Sequence, residues 1–426
     1  MTLVLKLLYQ VLIYVAAGVM FTLTVLRSVR DPQYRDRIPE RLGFTRLRFS
    51  SAPIWIHAAS VGEVQAAMPL IKRLLANTEH RPLLVTTTTP TGAARVKAVF
   101  DQQLQHAFLP YDTLGAVGRF IRRLQPHCLI IVETELWPNL LNACVNRGLP
   151  VVLASARISA KTASRYRYAR SLFSHALPQV FVAAQTLEDA QRYRALGALP
   201  ERIHITGNLK FDIQISESTL VVGKQIKQML QSRPVWIAAS THAGEEEAAL
   251  QAHRQVLLHR PTALLIIVPR HPQRFAQVAH LLSTQQCHYA LRSASHIPTS
   301  EHSVWLIDTL GELLTFYAVS DVVFVGGTLV PVGGHNVLEP AALSLPILVG
   351  PHVFNSPDIA NAMQAKHALT QVSSSQELSD AVIKLFNSPS QRADMGKAAS
   401  RVVAEGRGAL TAILELLREQ AEIDLP

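Results

Sequence analysis

Short apolar runs alternate with amphipathic stretches along most of the chain. Such runs, bounded by small or polar residues, are typical of buried parallel strands, and the stretches between them are typical of helices. The predicted strands of the first half are 53–59, 83–89, 128–132, 150–157, 179–184 and 203–208. Those of the second half are 235–239, 264–268, 304–308, 322–325 and 346–349. Strands and helices alternating over this length predict an α/β fold built on parallel, doubly wound sheets.

The N-terminal segment has a different pattern. Residues 3–26 are mostly aliphatic or aromatic, interrupted by Lys6 and Gln10, and are about long enough to cross a bilayer. The arginines that follow are Arg27, Arg30, Arg35 and Arg37. They predict that the downstream chain lies in the cytoplasm, and the lack of a small-residue cleavage site predicts an uncleaved anchor. Two alternatives stay open, a helix lying in the membrane interface and a core helix of a soluble protein.

These patterns divide the chain into five predicted segments. They are an anchor helix at 1–28, a Rossmann-like domain at 29–212, a linker with a short helix at 213–233, a second Rossmann-like domain at 234–405 and a final helix at 406–426. The two domains are expected to face each other across a cleft, which suits a nucleotide-bearing donor and an acceptor.

Composition narrows the class of partner. The chain has 426 residues, of which 48% are hydrophobic and 17% charged, so it is not disordered. Its formal net charge of +10 favours anionic partners such as a membrane surface, a phosphorylated lipid or a nucleotide. An RNA-binding signature is absent from the sequence, so nucleic acid is not expected. The 3 cysteines lack metal-ligand spacing and the 17 histidines show no HExxH pattern, so no metal site is predicted.

A glycine-rich segment follows the strand predicted at 322–325. Two glycine pairs, at 326–327 and 333–334, allow sharp turns and close approach of a ligand to the main chain. Asn336 is predicted to cap the next helix, with Glu339 completing a capping box, and helix N-termini bind phosphate. The alternative is a tight turn before a well-capped helix, with no ligand.

Other polar residues stand at the ends of predicted strands. Ser60 and Gly62 lie at a strand-to-helix turn whose main-chain N–H groups could hold an anion. Glu133 and Glu135 end another strand, although either could simply cap the next helix. The Arg270-His271 pair could clamp a phosphate or be an ordinary surface pair. Neither half contains GxGxxG or GxxxxGK[ST], which disfavours dinucleotide and ATP cradles.

Taken in order, the motifs resemble those of the 3-deoxy-D-manno-octulosonic acid (Kdo) transferases of lipopolysaccharide synthesis. The motifs are PERLGF, HAASVGEV, TTTTPTG, ETELWPN, ASARIS, GNLKFD, AASTHAGEE, VPRHP, DTLGEL and VGGTLVPVGGHNVLEPAA. The resemblance spans essentially the whole chain. It implies a glycosyltransferase B-type fold, a CMP-Kdo donor, a lipid A precursor (lipid IVA) as acceptor and no cofactor. It also implies an inner-membrane location with the catalytic domains on the cytoplasmic face.

The resemblance also implies roles for individual residues. From composition alone, Glu40 in PERLGF would be only a favourable partner for a helix dipole, whereas the resemblance implies that it is the general base of an inverting transfer. A second carboxylate would be Glu133 or Glu135. The implied donor-binding residues are Arg270 and His271 near the CMP phosphate, Gly311 and Glu312 near the nucleotide, and Asn336 and Glu339 at the ribose and donor sugar. The implied acceptor or anion-binding residues are Ser60, Gly62 and Lys210.

Two other interpretations remain open from the sequence. The chain could be another sugar-nucleotide enzyme that uses a UDP-sugar, such as a 2-epimerase or a lipid A disaccharide synthase. It could also be a membrane-tethered binding module with a degenerate enzyme fold. The loop after Asn355 departs from the family pattern, because Ser356 occupies a position that is often aromatic. The sequence does not indicate the oligomeric state or the number of Kdo residues transferred.

Overall fold

The computed structural model describes residues 2–30, 34, 37–77, 81–231, 233–294 and 297–423, so that Arg35 of the predicted basic flank lies outside the described residues. The chain forms two compact units. The first comprises Met1–Asp212 and Arg407–Pro426, and the second comprises Ile213–Gly406. The α/β class and the two parallel Rossmann-like sheets predicted from the sequence are confirmed.

The first unit is built on a parallel seven-stranded sheet with the order β3-β2-β1-β4-β5-β6-β7. Its strands are β1 Ile54–His57, β2 Leu83–Thr87, β3 Gln105–Phe108, β4 Cys128–Val132, β5 Val151–Ala156, β6 Phe181–Ala184 and β7 Ile203–Ile205. The chain runs outward from β1 to β3 and returns on the other side of β1 at β4. The carboxyl ends of β1 and β4 therefore form the topological switch point, where open α/β sheets bind ligands.

Helices cover both faces of this sheet. They are α1 Thr2–Arg30, α2 Ile38–Arg41, α3 Val61–Asn77, α4 Pro90–Phe100, α5 Leu114–Leu124, α6 Pro138–Val145, α7 Ala160–Tyr168, α8 Arg170–Phe173 and α9 Leu187–Leu196. Alternate residues of β1 point to opposite faces, so Ile54 and Ile56 pack with α3 and α4 while Trp55 packs with α5 and α6. Thr89 and Thr113 cap the N-termini of α4 and α5. Their hydroxyl groups accept hydrogen bonds from main-chain N–H groups of the first turn and so fix where each helix begins.

The N-terminal helix α1 lies along the first unit. The buried or half-buried positions on one face of α1 include Tyr9, Gln10, Ile13, Ala17, Thr24 and Ser28. The large apolar side chains exposed on α1 are Val4, Leu7, Leu8, Val11, Leu12, Tyr14, Val15, Val19, Leu23, Val25, Leu26 and Val29. The segment Val4–Val29, with mean hydropathy 1.9, is long and apolar enough to cross a membrane. The docked face is therefore partly polar, and the exposed face is almost wholly apolar.

The second unit repeats the plan, with a parallel seven-stranded sheet in the order β10-β11-β9-β8-β12-β13-β14. Its strands are β8 Val235–Thr241, β9 Leu264–Pro269, β10 Tyr289–Leu291, β11 Val304–Leu306, β12 Val322–Val325, β13 Ile347–Val349 and β14 Leu369–Gln371. Its helices are α10 Glu217–Met229, α11 Glu245–His259, α12 Phe275–Thr284, α13 Leu313–Val319, α14 Leu338–Ala342, α15 Pro357–Ala365, α16 Ser375–Asn387 and α17 Pro389–Gly406. The switch point of this sheet lies between β8 and β12.

Two helices, one in the stretch predicted as a linker with a short helix and one at the end of the chain, pack within these units. The stretch predicted as a linker contains α10, which contacts α13 closely: a Cβ placed on Gly223 would lie 2.6 Å from the Cβ of Ala318. The last helix, α18 Ala409–Gln420, packs in the core of the first unit. The Asp212 carboxylate holds the start of α18 by accepting the main-chain N–H groups of Gly408 at 2.9 Å and Leu410 at 2.8 Å.

Candidate functional site

At the switch point of the first unit, two carboxyl groups follow β4, and one of them pairs with a lysine. Glu133 follows β4 directly, in a left-handed conformation with φ 60°, and Lys210 Nζ lies 2.7 Å from Glu133 Oε1. Glu135 Oε2 accepts Trp137 Nε1–H at 2.7 Å and lies 3.8 Å from His57 Nε2. A non-glycine residue in a left-handed conformation at a strand end is typical of a functional site. The structure thus brings Glu133 and Lys210 together, as an ion pair.

The turn after β1 is partly occupied by its own side chains. The Ser60 N–H, expected to be available to an anion, donates to Glu63 Oε2 at 2.6 Å. Burial and the neighbouring Glu135 raise the pKa of Glu63, which favours its neutral form relative to an exposed carboxyl. Gly62 has open space around it, since the atom nearest to an added Cβ would be Ser60 Oγ at 3.8 Å. Of the two predicted residues, Gly62 therefore leaves the more room for a ligand.

Glu40 lies in the short helix α2 and is 8% exposed. Its Oε2 accepts the main-chain N–H of Phe108 at 2.8 Å, and its Oε1 accepts Arg37 Nε–H at 2.7 Å. Arg37 also donates to His106 Nδ1 at 2.9 Å, and because a guanidinium can only donate, this ring nitrogen must be unprotonated. Burial, with Arg37 and Arg41 nearby, lowers the pKa of His106 to about 3. The Glu40 carboxylate is thus held in one orientation by a cation and a main-chain donor.

Glu40 and Glu133 stand at the same edge of the sheet but on different strands. Glu40 is hydrogen-bonded to Phe108 at the end of β3, whereas Glu133 follows β4. In the sheet these two strands are three positions apart. At about 4.8 Å per strand, the separation is roughly 14 Å. The two carboxylates therefore belong to strand ends that are not neighbours, and Glu133 is the ion-pair partner of Lys210.

At the switch point of the second unit, one buried carboxylate organises the glycine-rich loop. Glu245, at the start of α11, is fully buried and accepts four main-chain N–H groups, of His242, Gly327, Thr328 and Leu329. Glu245 thereby ties the loop after β12 to the turn after β8.

Three histidines surround the same point. His242 Nε2 and His335 Nε2 are 2.8 Å apart, so one of them must donate and the other accept. The His271 ring stands edge-on to His242, with ring centroids 5.4 Å apart. Burial, with Arg270 and the other two histidines, lowers the pKa of His335 to about 3, and burial also lowers the pKa values of His242 and His271. At neutral pH the rings are therefore neutral donors and acceptors beside the exposed Arg270 cation.

The glycine-rich loop requires its glycines for close backbone approach. A Cβ on Gly326 would lie 2.6 Å from the Ser240 carbonyl oxygen, and one on Gly333 would lie 2.6 Å from Asn355 Oδ1. Asn355 Nδ2 also donates to the Gly334 carbonyl at 3.0 Å, so Asn355 helps to hold this loop.

The predicted capping box at the next helix is wrong. The N-cap of α14 is Val337, without a side-chain hydrogen bond, and Asn336 Oδ1 accepts the Leu338 N–H at 3.0 Å from one position earlier. The two hydrophobic residues at 337 and 338 are buried, and the first helical turn begins one residue later than predicted. Asn336 is exposed and Glu339 half-buried at this edge of the sheet.

Gly311 and Glu312 follow β11, two strands from β8. The Glu312 carboxylate is bonded by Arg292, with Nη2 to Oε1 at 2.8 Å and Nε to Oε1 at 3.1 Å, and also by the Thr309 hydroxyl. Hydrogen bonds from Arg292 lower the pKa of Glu312. The structure therefore gives Glu312 an ion-pair partner of its own, apart from the histidine cluster.

Several residues of these two sites had no individual signal in the sequence. Arg37 and His106 hold or neighbour Glu40, and Glu245, His242 and His335 form the centre of the second-unit site. Glu245 and His242 lie in the HAGEE motif, and His335 lies in the GGHN motif. The contacts between the two motifs form only because β8 and β12 are neighbouring strands.

Comparisons with known proteins identify relatives of this chain. A family model described as 3-Deoxy-D-manno-octulosonic-acid transferase (kdotransferase) matches residues 36–213. The chain is 41% identical over 419 residues to the 3-deoxy-D-manno-octulosonic acid transferase of Haemophilus influenzae, covering 97% of this chain and 98% of the relative. It is 39% identical to the enzyme of the same description from Bordetella pertussis, over 87% of each chain.

Among solved structures, the chain is similar to the UDP-GlcNAc 2-epimerase of Neisseria meningitidis bound to UDP-GlcNAc. The TM-score is 0.57 at 16% identity, and the match covers 86% of this chain and 100% of the other. At this low identity the likeness concerns the fold, which is shared between enzymes with different chemistry.

Proposed function

The chain belongs to the family of the 3-deoxy-D-manno-octulosonic acid transferases, and from this premise we propose that it transfers Kdo, with inversion, from CMP-Kdo to a hydroxyl group of a lipid A precursor in lipopolysaccharide synthesis. The observation that carries the proposal is the Glu40 carboxylate, buried and held in one orientation by Phe108 N–H and Arg37. A fixed carboxylate at the carboxyl edge of a Rossmann-like sheet suits proton abstraction from a sugar hydroxyl.

The proposed reaction is a direct displacement. Glu40 takes the proton of the acceptor hydroxyl as that oxygen attacks the anomeric carbon of Kdo. The bond between this carbon and the phosphate oxygen of CMP breaks, and CMP leaves with the electron pair. The acceptor region is proposed to include Ser60, Gly62 and Lys210, with Glu133 setting the position of Lys210 through their 2.7 Å ion pair.

The leaving phosphate needs a positively charged, donor-rich site. Arg270 is exposed beside three neutral histidines, and its guanidinium can pair with the phosphate of CMP. His271 and the neighbouring imidazoles can donate N–H groups to the same oxygens. Asn336, Glu339, Gly311 and Glu312 complete the proposed donor site at the ends of β11 and β12.

Substitution of Glu40 tests this proposal. We expect Glu40→Gln to abolish Kdo transfer, measured by mass spectrometry of the lipid after incubation with CMP-Kdo and lipid A precursor. CMP should still raise the thermal unfolding midpoint of this variant, because its proposed site is in the second unit. Arg270→Ala is expected instead to weaken the stabilisation by CMP itself, because its proposed role is in donor binding. Transfer at the wild-type rate by Glu40→Gln would remove Glu40 from its role.

A UDP-sugar enzyme is the second candidate, since the fold is shared with a UDP-GlcNAc 2-epimerase. Thermal stabilisation by CMP and UDP at equal concentrations separates the two. Stabilisation by UDP alone would contradict the CMP-Kdo donor.

For location, we propose that α1 lies in the cytoplasmic leaflet of the inner membrane without crossing it. Its docked face extends from Tyr9 to Ser28, roughly 30 Å at 1.5 Å per residue. A helix crossing the bilayer in this docked state would take the polar side chains beneath it into the hydrocarbon region, which is costly. The exposed apolar face, by contrast, matches an interfacial helix, and the +10 charge favours anionic headgroups.

Vesicle flotation tests the membrane proposal. We expect the wild-type chain to float with vesicles of phosphatidylethanolamine and phosphatidylglycerol, and Leu8→Asp with Val15→Asp to reduce binding. Leu258→Asp is the matched control, because Leu258 is an exposed leucine of the second unit. In addition, a membrane-impermeant maleimide added from the periplasmic side should not label a cysteine at Val4; labelling from that side would show that α1 spans the membrane.

A further inference from the structure

The segment 108–113, which begins with the last residue of β3, holds Glu40, the proposed general base. The Phe108 N–H donates to Glu40 Oε2 at 2.8 Å, and the Tyr111 N–H donates to the Arg41 carbonyl at 2.8 Å. The Arg41 guanidinium also lies over the Phe108 ring, 4.3 Å from its centroid. The orientation of the Glu40 carboxylate therefore depends on where this segment lies.

The same segment contacts the N-terminal helix on its other side. Asp112 is 4% exposed, and its carboxylate accepts three donors: Tyr9 Oη–H at 2.7 Å, Asn139 N–H at 2.9 Å and Leu140 N–H at 2.7 Å. Gln10 and Asn139 exchange side-chain amide hydrogen bonds at 2.7 and 3.2 Å. Asp112 thus joins α1 to the start of α6 and to the segment that holds Glu40.

We propose that Asp112 and Tyr9 are positioning residues that couple docking of the N-terminal helix to the orientation of the general base. The inference rests on the proposed role of Glu40. The helix is then more than a membrane anchor, because its polar face is part of the scaffold of the acceptor site.

The environment of Asp112 explains why one hydroxyl matters. A buried carboxylate is tolerated only when donors satisfy it, and burial already raises the pKa of Asp112 to about 6 despite its three hydrogen bonds. Loss of the Tyr9 hydroxyl leaves part of that carboxylate unsatisfied, so segment 108–113 shifts or becomes mobile. A displacement of the order of 1 Å at a reacting group costs up to about a hundredfold in rate.

The test compares two removals of the same hydroxyl group in the full-length protein. Tyr9→Phe keeps the ring and removes the donor to Asp112, whereas Tyr168→Phe makes the same change at a residue that is 82% exposed in α7. We expect Tyr9→Phe to lower kcat about tenfold, with KM for donor and acceptor changed less than about twofold, because only the placement of the base is altered. Tyr168→Phe should match the wild type.

A second variant measures whether the two residues act through one bond. Asp112→Asn replaces one acceptor oxygen by an NH2 group, which then faces at least one of the N–H or O–H donors. A larger loss of kcat, about a hundredfold, is therefore expected. The double variant should be no slower than Asp112→Asn alone, since residues acting through one contact are not additive. Additive losses would show that Tyr9 acts elsewhere.

The outcomes separate this inference from the proposed function. Full transfer by Glu40→Gln overturns the role of Glu40 and this inference with it. If Glu40→Gln is inactive but Tyr9→Phe keeps the wild-type kcat, only the positioning role fails. A fall in kcat of Tyr9→Phe that is matched by an equal fall in the fraction of protein binding CMP would also overturn it, because lost folding would then explain the result.

Discussion

The buried carboxylate of Glu245 allows a quantitative test of how the glycine-rich loop is held. Its Oε1 accepts the N–H groups of Thr328 and Leu329, each at 3.0 Å, and its Oε2 accepts those of His242 at 2.9 Å and Gly327 at 2.7 Å. Glu245→Gln keeps the shape of the side chain but converts one oxygen to an NH2 group. Because each oxygen serves two donors, either orientation of the amide sets an NH2 against two N–H groups.

The expected loss of stability follows from the number of hydrogen bonds removed. The substitution removes two hydrogen bonds to a charged group, each contributing about 1.5–3 kcal/mol, or about 3–6 kcal/mol in all before the loop relaxes. Domains are stable by about 5–15 kcal/mol, so the loop should open while the rest of the second unit stays folded. Since about 1.4 kcal/mol is a factor of ten, the opened state should become at least about a hundredfold more populated.

Native-state hydrogen exchange measures this opening at individual amides. We expect exchange at Gly327, Thr328 and Leu329 to accelerate at least about a hundredfold in Glu245→Gln. Glu247→Gln is the matched control on the same helix, because its side chain is exposed and a glutamine oxygen can still accept the Gly244 N–H. Exchange at the three loop amides within threefold of the wild type would refute the account of Glu245.

Two further predictions concern stability. Gly326→Ala should destabilise the second unit by about 1–3 kcal/mol, seen as a lower denaturation midpoint, because its Cβ would lie 2.6 Å from the Ser240 carbonyl oxygen; Gly62→Ala, in open space, should not. The thermal midpoint should fall between pH 7 and 5, since the folded pKa of His335, about 3, is below the unfolded value of about 6.5. The unfolded chain then binds the extra proton, so stability is full above pH 6.5 and is lost as the pH falls. His335→Gln should reduce this decline, and an unchanged pH profile in that variant would contradict the pKa assignment.

The sequence predicted most of the strands because their signal is local. Central strands such as β4 and β12 are buried on both faces, and their continuous apolar runs gave the observed bounds. The strands it missed were β3, β10 and β14, each at an edge of its sheet. These are only three or four residues long and contain exposed or half-buried positions, so they lack an apolar run.

The sequence by itself determined the α/β class, the two sheets, the apolar N-terminal helix and the motifs at strand ends, because apolar periodicity and turn chemistry act over a few neighbouring residues. Only the tertiary structure decided which of those polar side chains meet. Lys210 pairs with Glu133, Glu245 binds the loop after β12, and Tyr9 reaches Asp112. The first two contacts form because a parallel sheet brings the carboxyl ends of strands distant in the chain to one edge. The third forms because α1 packs against the first unit, 103 positions away from Asp112 in the chain.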